Sequence, residues 1–321
     1  MARKPPEWRR RLMWRLEVLA FDTLSGFMRL LPVDAASALG GWFLTTFGPM
    51  TGVRKTVDRN LRIAFPDMTA DERARLAKAQ WEETGRTFAE FPLMDRITPR
   101  NGRVEVVGGH YLEEIVRDRI PTIFVSGHFS NYEVMAAVVV QAGVQGRLTY
   151  RAINNPFIDK RVIESRRRYG VELFSAKGVD SARELYQCLD RGDSIGMMVD
   201  QKFTFGVSVP FFGKRAPTNP GPARFALRAN ARIQPLSVTR LKGARFRMTL
   251  HEPFRVERSG DRNADVEAAM LRITRFIEDR VRERPEQYFW VHRRWADEVY
   301  RELAEKDAAS AGERGEAGAT P

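Results

Sequence analysis

His128 and Glu133 stand five positions apart in the stretch PTIFVSGHFSNYEVMAAVVVQAG, residues 121–143. Those two residue types suit one task. A hydroxyl is a poor nucleophile until a base takes its proton, and histidine, with an ordinary pKa of about 6.5, can do so near neutral pH. A carboxylate beside the ring fixes one tautomer and stabilises the imidazolium that forms. Glu133, in the first turn of a helix, would be kept ionised by the helix dipole and its free N–H groups. The sole cysteine, Cys188, lies in a helical pattern away from this stretch. The chemistry therefore reads as direct attack by an acceptor hydroxyl, with no covalent enzyme intermediate. The same spacing has a plainer reading. Ser130-x-x-Glu133 is also a capping box, in which the glutamate only reaches back to the backbone of Ser130, and His128 is then an ordinary turn residue. On this stretch alone both readings stand.

The surrounding pattern shows how such residues would be positioned. Ile123, Phe124 and Val125 form a short apolar run bounded by Pro121 and by Ser126-Gly127, as a buried strand requires. Helical spacing follows from Ser130 through Val138, with Gly143 placed to stop it. His128 thus falls at the carboxyl end of a strand, where open α/β sheets bind ligands. A second buried strand, expected over Ser194–Val199, delivers Asp200 and Gln201 to the same edge. Between them, strands expected at Arg147–Arg151 and Val171–Phe174 alternate with helices at Asp159–Tyr169 and Val179–Asp190. With Val104–Val107 and Tyr111–Arg117 ahead of them, they predict an α/β fold: a mainly parallel central sheet flanked by helices. Val207–Phe212, with Pro210, leads to Gly213; further strands are expected at Arg232–Thr239 and Arg245–His251, and helices at Gly221–Arg228 and Val266–Arg282. The helix at Asp159–Tyr169 carries Lys160, Arg161, Arg166, Arg167 and Arg168 between two strands that lead to the site edge, so it is a candidate for holding an anionic substrate.

The chain has 321 residues, with 53 Lys and Arg against 41 Asp and Glu, a net charge of +12. That excess calls for an anionic partner. No zinc-type Cys/His spacing, Walker loop or GxGxxG loop is present, and no nucleic-acid motif. One cysteine excludes an internal disulfide framework. At the N-terminus, arginines surround Trp8 and Trp14, and an apolar-rich segment follows from Leu12 to Leu31. Arg15, Glu17 and Asp22 interrupt it, which argues against a signal peptide. Asp22 at the centre of a bilayer would cost roughly 2.5–3.5 kcal/mol. A pair of amphipathic helices lying in the membrane interface, over residues 1–53, fits better. Arg54–Phe91 reads as helix interrupted by a turn at Pro66–Thr69, with Thr69 and Glu72 as a capping box. The main domain is expected over 54–301, and the tail 302–321, poor in apolar residues, is expected to be disordered.

Several spaced motifs coincide with those of a known family. HFSNYE (128–133) resembles the H-x4-D/E box of the glycerolipid and lipid A acyltransferase superfamily. NLRIAFPDMTADER (60–73), YRAINNP (150–156), RRRYG (166–170), DQKF with VPFFGKRAPT (200–218) and PEQYFWVHRRW (285–295) are similar, in the expected order, to the late acyltransferases of lipid A biosynthesis. The resemblance implies an acyl-carrier-protein thioester as donor and a hydroxyl of a phosphorylated, Kdo-bearing lipid A precursor as acceptor. It also implies work at the cytoplasmic face of the inner membrane, with no metal and no cofactor. Carried over residue by residue, it makes His128 the general base and Glu133 its carboxylate partner. Arg166 and Arg168 become groups for an oxyanion or a phosphate, Asp200 a site aspartate, and Arg151 and Gln201 further substrate contacts. The rival readings are the same chemistry on a lysophospholipid or glycolipid, and a non-catalytic basic protein that binds membranes. His110 and His251 read as structural, and His292 as packing of the C-terminal segment.

Overall fold

The computed structural model describes residues 6–150, 152–171, 173–175 and 179–317. Helices α1 (Glu7–Leu30), α2 (Val33–Phe47), α3 (Arg54–Ala64) and α4 (Ala70–Glu90) come first. Strand β1 (Val104–Val107), α5 (His110–Asp118), β2 (Thr122–Ser126), α6 (Glu133–Gln141) and β3 (Gly146–Tyr150) follow. Next are α7 (Pro156–Arg167), β4 (Leu173–Ser175), α8 (Val179–Asp190) and β5 (Ser194–Met198). The hairpin β6 (Val207–Phe211) and β7 (Lys214–Thr218) leads to α9 (Gly221–Ala229), β8 (Arg232–Arg240), β9 (Phe246–Leu250), α10 (Arg262–Glu283) and α11 (Asp297–Ala317).

Seven strands form one sheet in the order β1-β9-β8-β2-β5-β3-β4, and only the β8–β9 pairing is antiparallel. The expected fold class is the observed one. β2 lies in the middle, its five residues all buried, because Ile123, Phe124 and Val125 meet helices on both faces of the sheet. Helices α6, α8, α9 and α10 pack against the strands. Turn chemistry closes the units where glycine must take a left-handed backbone: Gly143 after α6 at φ 89°, Gly170 after α7 at φ 89°. Thr69 and Glu72 form the expected capping box on α4.

Two features differ from or add to the sequence reading. β7 was not foreseen, since KRAPT has neither an apolar run nor a free N–H at Pro217; it pairs only with β6, as an edge strand tolerates. The tail beyond Glu302 is helical to Ala317 rather than disordered. Its alanines and alternating charges favour helix without needing a core. Asp307 anchors it on α3 through Arg62 Nη1 at 2.8 Å.

α2 and α4 cross at unusually close range, through Gly40 and Gly85. A Cβ on Gly85 would stand 2.1 Å from the Gly40 carbonyl oxygen, and one on Gly40 would stand 2.4 Å from that of Gly85. Alanine in a helix interior normally gains about 0.5–1 kcal/mol over glycine. At Gly85 the clash with backbone should outweigh this, and Gly85→Ala should destabilise the protein by about 1–3 kcal/mol. A melting temperature several degrees below wild type is the expected reading; an unchanged or higher one would mean that the helices separate freely.

Candidate active site

The parallel register of β2 and β5 sets the site. Ser126 is opposite Met198, so His128 and Asp200, each two residues further on, leave the sheet at the same edge. Asp200 accepts from the His128 backbone N–H at 2.8 Å and lies 2.7 Å from His128 Nδ1. An ionised carboxylate only accepts, so Nδ1 carries the proton and Nε2 is left bare. Nε2 makes no hydrogen bond among the described residues, and the ring, with 14% of its side chain exposed, borders a cleft. Burial acts to lower the His128 pKa, but the charge and hydrogen bond of Asp200 outweigh it, and the net shift is upward. Asp200 is itself buried, which favours its neutral form, yet the histidine charge and its two hydrogen bonds hold it below the usual carboxylate range.

Glu133 plays a different part from the one expected. It is not bonded to His128, nor does it cap Ser130. The helix begins only at Glu133, whose N–H is taken by Asn131 Oδ1 at 3.2 Å. Its buried carboxylate is forked by Arg166, through Nε at 2.9 Å and through Nη2, and accepts the Tyr169 hydroxyl at 2.7 Å. Burial opposes its ionisation, and Arg166 and Tyr169 more than restore it, so its pKa is lowered. The carboxylate on the histidine ring is therefore Asp200, and Glu133 instead fixes a guanidinium at the site. Sequence spacing misleads here. Glu133 is near His128 along the chain, but helix α6 turns its side chain toward α7.

The turn that carries His128 is held under constraint. Ser130 sits at φ 43°, a left-handed conformation that costs a non-glycine residue on the order of 1–3 kcal/mol. Phe129 bridges Tyr288, and the Phe289 N–H reaches the His128 carbonyl at 3.2 Å. The C-terminal segment thereby sets Phe289 at 27° to the plane of the imidazole, ring centroids 6.3 Å apart, while Tyr132 meets it edge-on at 4.8 Å. Burial keeps the Tyr132 phenol protonated, its pKa raised.

The cleft measures about 2030 Å³ and is lined mostly by apolar side chains, among them Met135, Val139, Leu148 and Phe225. Arg166, Arg168 and Gln201 also line it, so these three expected residues share one site with His128; Asp200 supports it from behind. Arg151 lies outside the described residues. Two residues were underrated by sequence. His292 lines the cleft beside Phe289, at 5.3 Å between ring centroids, and Tyr169 is part of the Glu133 cluster. The YFWVHRRW composition signals packing, and only the backbone pairing of Tyr288 and Phe289 with the His128 turn brings it to the site.

A model of the bacterial lipid A biosynthesis acyltransferases matches residues 17–297, which include every one of these groups. The chain belongs to that family. It is 26% identical over 250 residues to the lipid A biosynthesis lauroyltransferase of Escherichia coli K12, covering 75% of this chain and 78% of the relative. It is 24% identical over 246 residues to the lipid A biosynthesis acyltransferase of Haemophilus influenzae, covering 74% of this chain and 75% of the relative. Among solved structures, a 1-acyl-sn-glycerophosphate acyltransferase from Thermotoga maritima aligns over 78% of this chain and 95% of its own, at 14% identity and a TM-score of 0.37. The protein is thus an acyltransferase of lipid A biosynthesis, and the resemblance carried by the spaced motifs is the correct one.

Proposed function

We propose that this acyltransferase moves a fatty acyl chain from an acyl-carrier-protein thioester to a hydroxyl of a phosphorylated lipid A precursor, with His128 as general base. The observation that carries this is the His128–Asp200 pair at 2.7 Å, with a bare Nε2 on a large apolar cleft. The acceptor hydroxyl gives its proton to Nε2 as its oxygen bonds to the thioester carbon. The tetrahedral oxyanion then collapses, the carbon–sulfur bond breaks, and the imidazolium returns the proton to the departing thiolate. Arg166, fixed by Glu133 and Tyr169, supplies a stationary positive charge for the oxyanion. Arg168 and Gln201, exposed on the cleft, meet the acceptor, Arg168 facing its phosphate. A cleft of this size exceeds the roughly 300–1,000 Å³ of ordinary small-molecule pockets and suits an acyl chain.

The same reading seats the protein on the cytoplasmic face of the inner membrane. No helix among the described residues is long and apolar enough to cross a membrane. α1 and α2 nevertheless expose Trp8, Leu12, Leu16, Leu19, Trp42 and Phe43, beside the N-terminal arginines. The acids that interrupt α1 are paired at the start and first turns of α7: Asp22 by Arg161 at 3.0 Å, Glu17 by Asn155, the N-cap of α7, at 2.8 Å. That leaves an apolar face for lipid and a cationic fringe for anionic headgroups.

The test is transfer by the purified protein in detergent, from acyl-carrier-protein thioesters and matched coenzyme A thioesters, to the Kdo-bearing lipid A precursor and to lysophosphatidate. Carrier-dependent acylation of the lipid A precursor is expected; transfer only from coenzyme A, or only to lysophosphatidate, would overturn the donor or the acceptor. The pH dependence has a defined sign. The base works only when neutral, and its pKa is raised, so kcat/KM should fall as pH drops through an apparent pKa above about 6.5. A profile flat down to pH 5 would contradict a histidine base.

A further inference from the structure

Beneath the turn that bears His128 runs a chain of buried polar groups that the mechanism above does not use. Arg240, at the end of β8, donates through Nε to Glu83 Oε2 at 2.8 Å and through Nη1 and Nη2 to Glu90. Glu90, fully buried in α4, also accepts from Ser37 Oγ of α2 at 2.7 Å and from Asn131 Nδ2 at 2.9 Å. Asn131, fully buried as well, turns its Oδ1 to the Glu133 N–H at 3.2 Å. A second branch starts from the backbone of the same Arg240. Its N–H and carbonyl are paired with the Gln287 side chain at 2.8 and 3.1 Å, and the Gln287 carbonyl accepts the Ser130 N–H at 2.6 Å. Thr87 Oγ1 donates to the Ser130 carbonyl at 3.1 Å.

A buried ion cluster is weak evidence for stability, because well-packed apolar residues often serve as well or better. What is specific here is where the chain ends. Both branches converge on residues 130–133, between the histidine and the glutamate, where the backbone is left-handed at Ser130. Asn131 is suited to this place by its two-sidedness. Its amide donates toward a carboxylate and accepts from a backbone N–H, which neither an aspartate nor an apolar residue can do.

We propose that Asn131, held by Glu90 and Arg240, is a positioning residue that fixes this turn, so that His128 meets Asp200 on one side while Glu133 meets Arg166 on the other. The proposal rests on the reading of His128 as the base. A turn released from Glu90 lets the imidazole drift, and a displacement near 1 Å is enough to lower the rate about a hundredfold while substrate still binds.

The experiment measures kcat and KM per folded molecule, with melting temperatures, for wild type, His128→Ala, Asn131→Ala, Asn131→Asp, and Asn131→Asp combined with Glu90→Gln. Asn131→Ala should lower kcat by about 10–100-fold and leave both KM values within about threefold of wild type. Asn131→Asp, which sets two carboxylates face to face, should fall at least as far. Adding Glu90→Gln restores a donor opposite an acceptor and should recover about tenfold or more of that loss, a coupling that independent sites do not show. The double variant keeps the proposal open to disproof even if Asn131→Ala fails to fold. An Asn131→Ala enzyme with near-wild-type kcat would overturn it, as would a double variant that regains melting temperature without regaining kcat. Full activity in His128→Ala would overturn the base itself, and this idea with it. Inactivity of His128→Ala with no rescue in the double variant would remove the positioning role alone.

Discussion

His128→Ala should lower kcat by about 10²–10⁴-fold, the scale of losing a positioned general base, with the fold intact. The imidazole lies at the sheet edge facing the cleft, and its removal leaves Asp200 still bonded to the His128 backbone N–H at 2.8 Å. Buried Asp200 loses its ring partner and keeps only the backbone N–H, so a somewhat lower melting temperature should accompany a loss in kcat that is far larger than the loss of fold. KM for both substrates should change little, because the apolar cleft is built by α6, β3, β5 and the N-terminal helices rather than by the ring. Initial rates at saturating donor and acceptor, with melting curves, check this. A kcat within about tenfold of wild type would place the base elsewhere.

Asp200→Asn should cost about 10³–10⁴-fold, as loss of the orienting carboxylate does in a Ser-His-Asp triad. Asparagine is nearly the same shape, but its amide can donate to Nδ1, which moves the proton to Nε2 and leaves the cleft side of the ring unable to accept. Glu133→Gln should behave differently. It leaves Arg166 buried without its counter-charge, and breaking one side of a buried pair costs about 3–5 kcal/mol of stability. Its mark is a lowered melting temperature with a smaller loss in kcat per folded molecule. Equal losses in kcat for the two variants, at equal stability, would put Glu133 and Asp200 in one catalytic unit.

Much of this was legible because local chemistry and global fold agree. The apolar run at Ile123–Val125, the break at Ser126-Gly127 and the glycine stops placed β2, α6 and His128 to within a few residues. Asp200 was placed at the same edge by the same logic. What the spacing hid was which carboxylate faces the ring. Glu133 is close in sequence, but the contact that matters depends on the β2–β5 register, which joins residues 72 positions apart and leaves no local trace. The role of Glu133 depends on α7 likewise: Arg166 stands out in a basic helix, but the partner it shares with Tyr169 appears only once that helix is packed. The N-terminal segments α1 and α2 are helical, and the acids that interrupt α1 find their reason in Asn155 and Arg161. The tail is helical to Ala317 although poor in apolar residues, because alanine, glutamate and lysine are strong helix formers that need no core to favour helix.

The most direct test of the His128–Asp200 pair is the pH profile of kcat/KM for wild type beside Asp200→Asn and Glu133→Gln. Asp200 is the main source of the upward shift on His128, while Glu133 adds only a weaker, longer-range attraction. The acid limb should therefore move to lower pH in Asp200→Asn, since burial would then act on the ring unopposed by its partner, and should move far less in Glu133→Gln. A limb that stays in place in Asp200→Asn and shifts in Glu133→Gln would contradict the pairing and return the role to the glutamate.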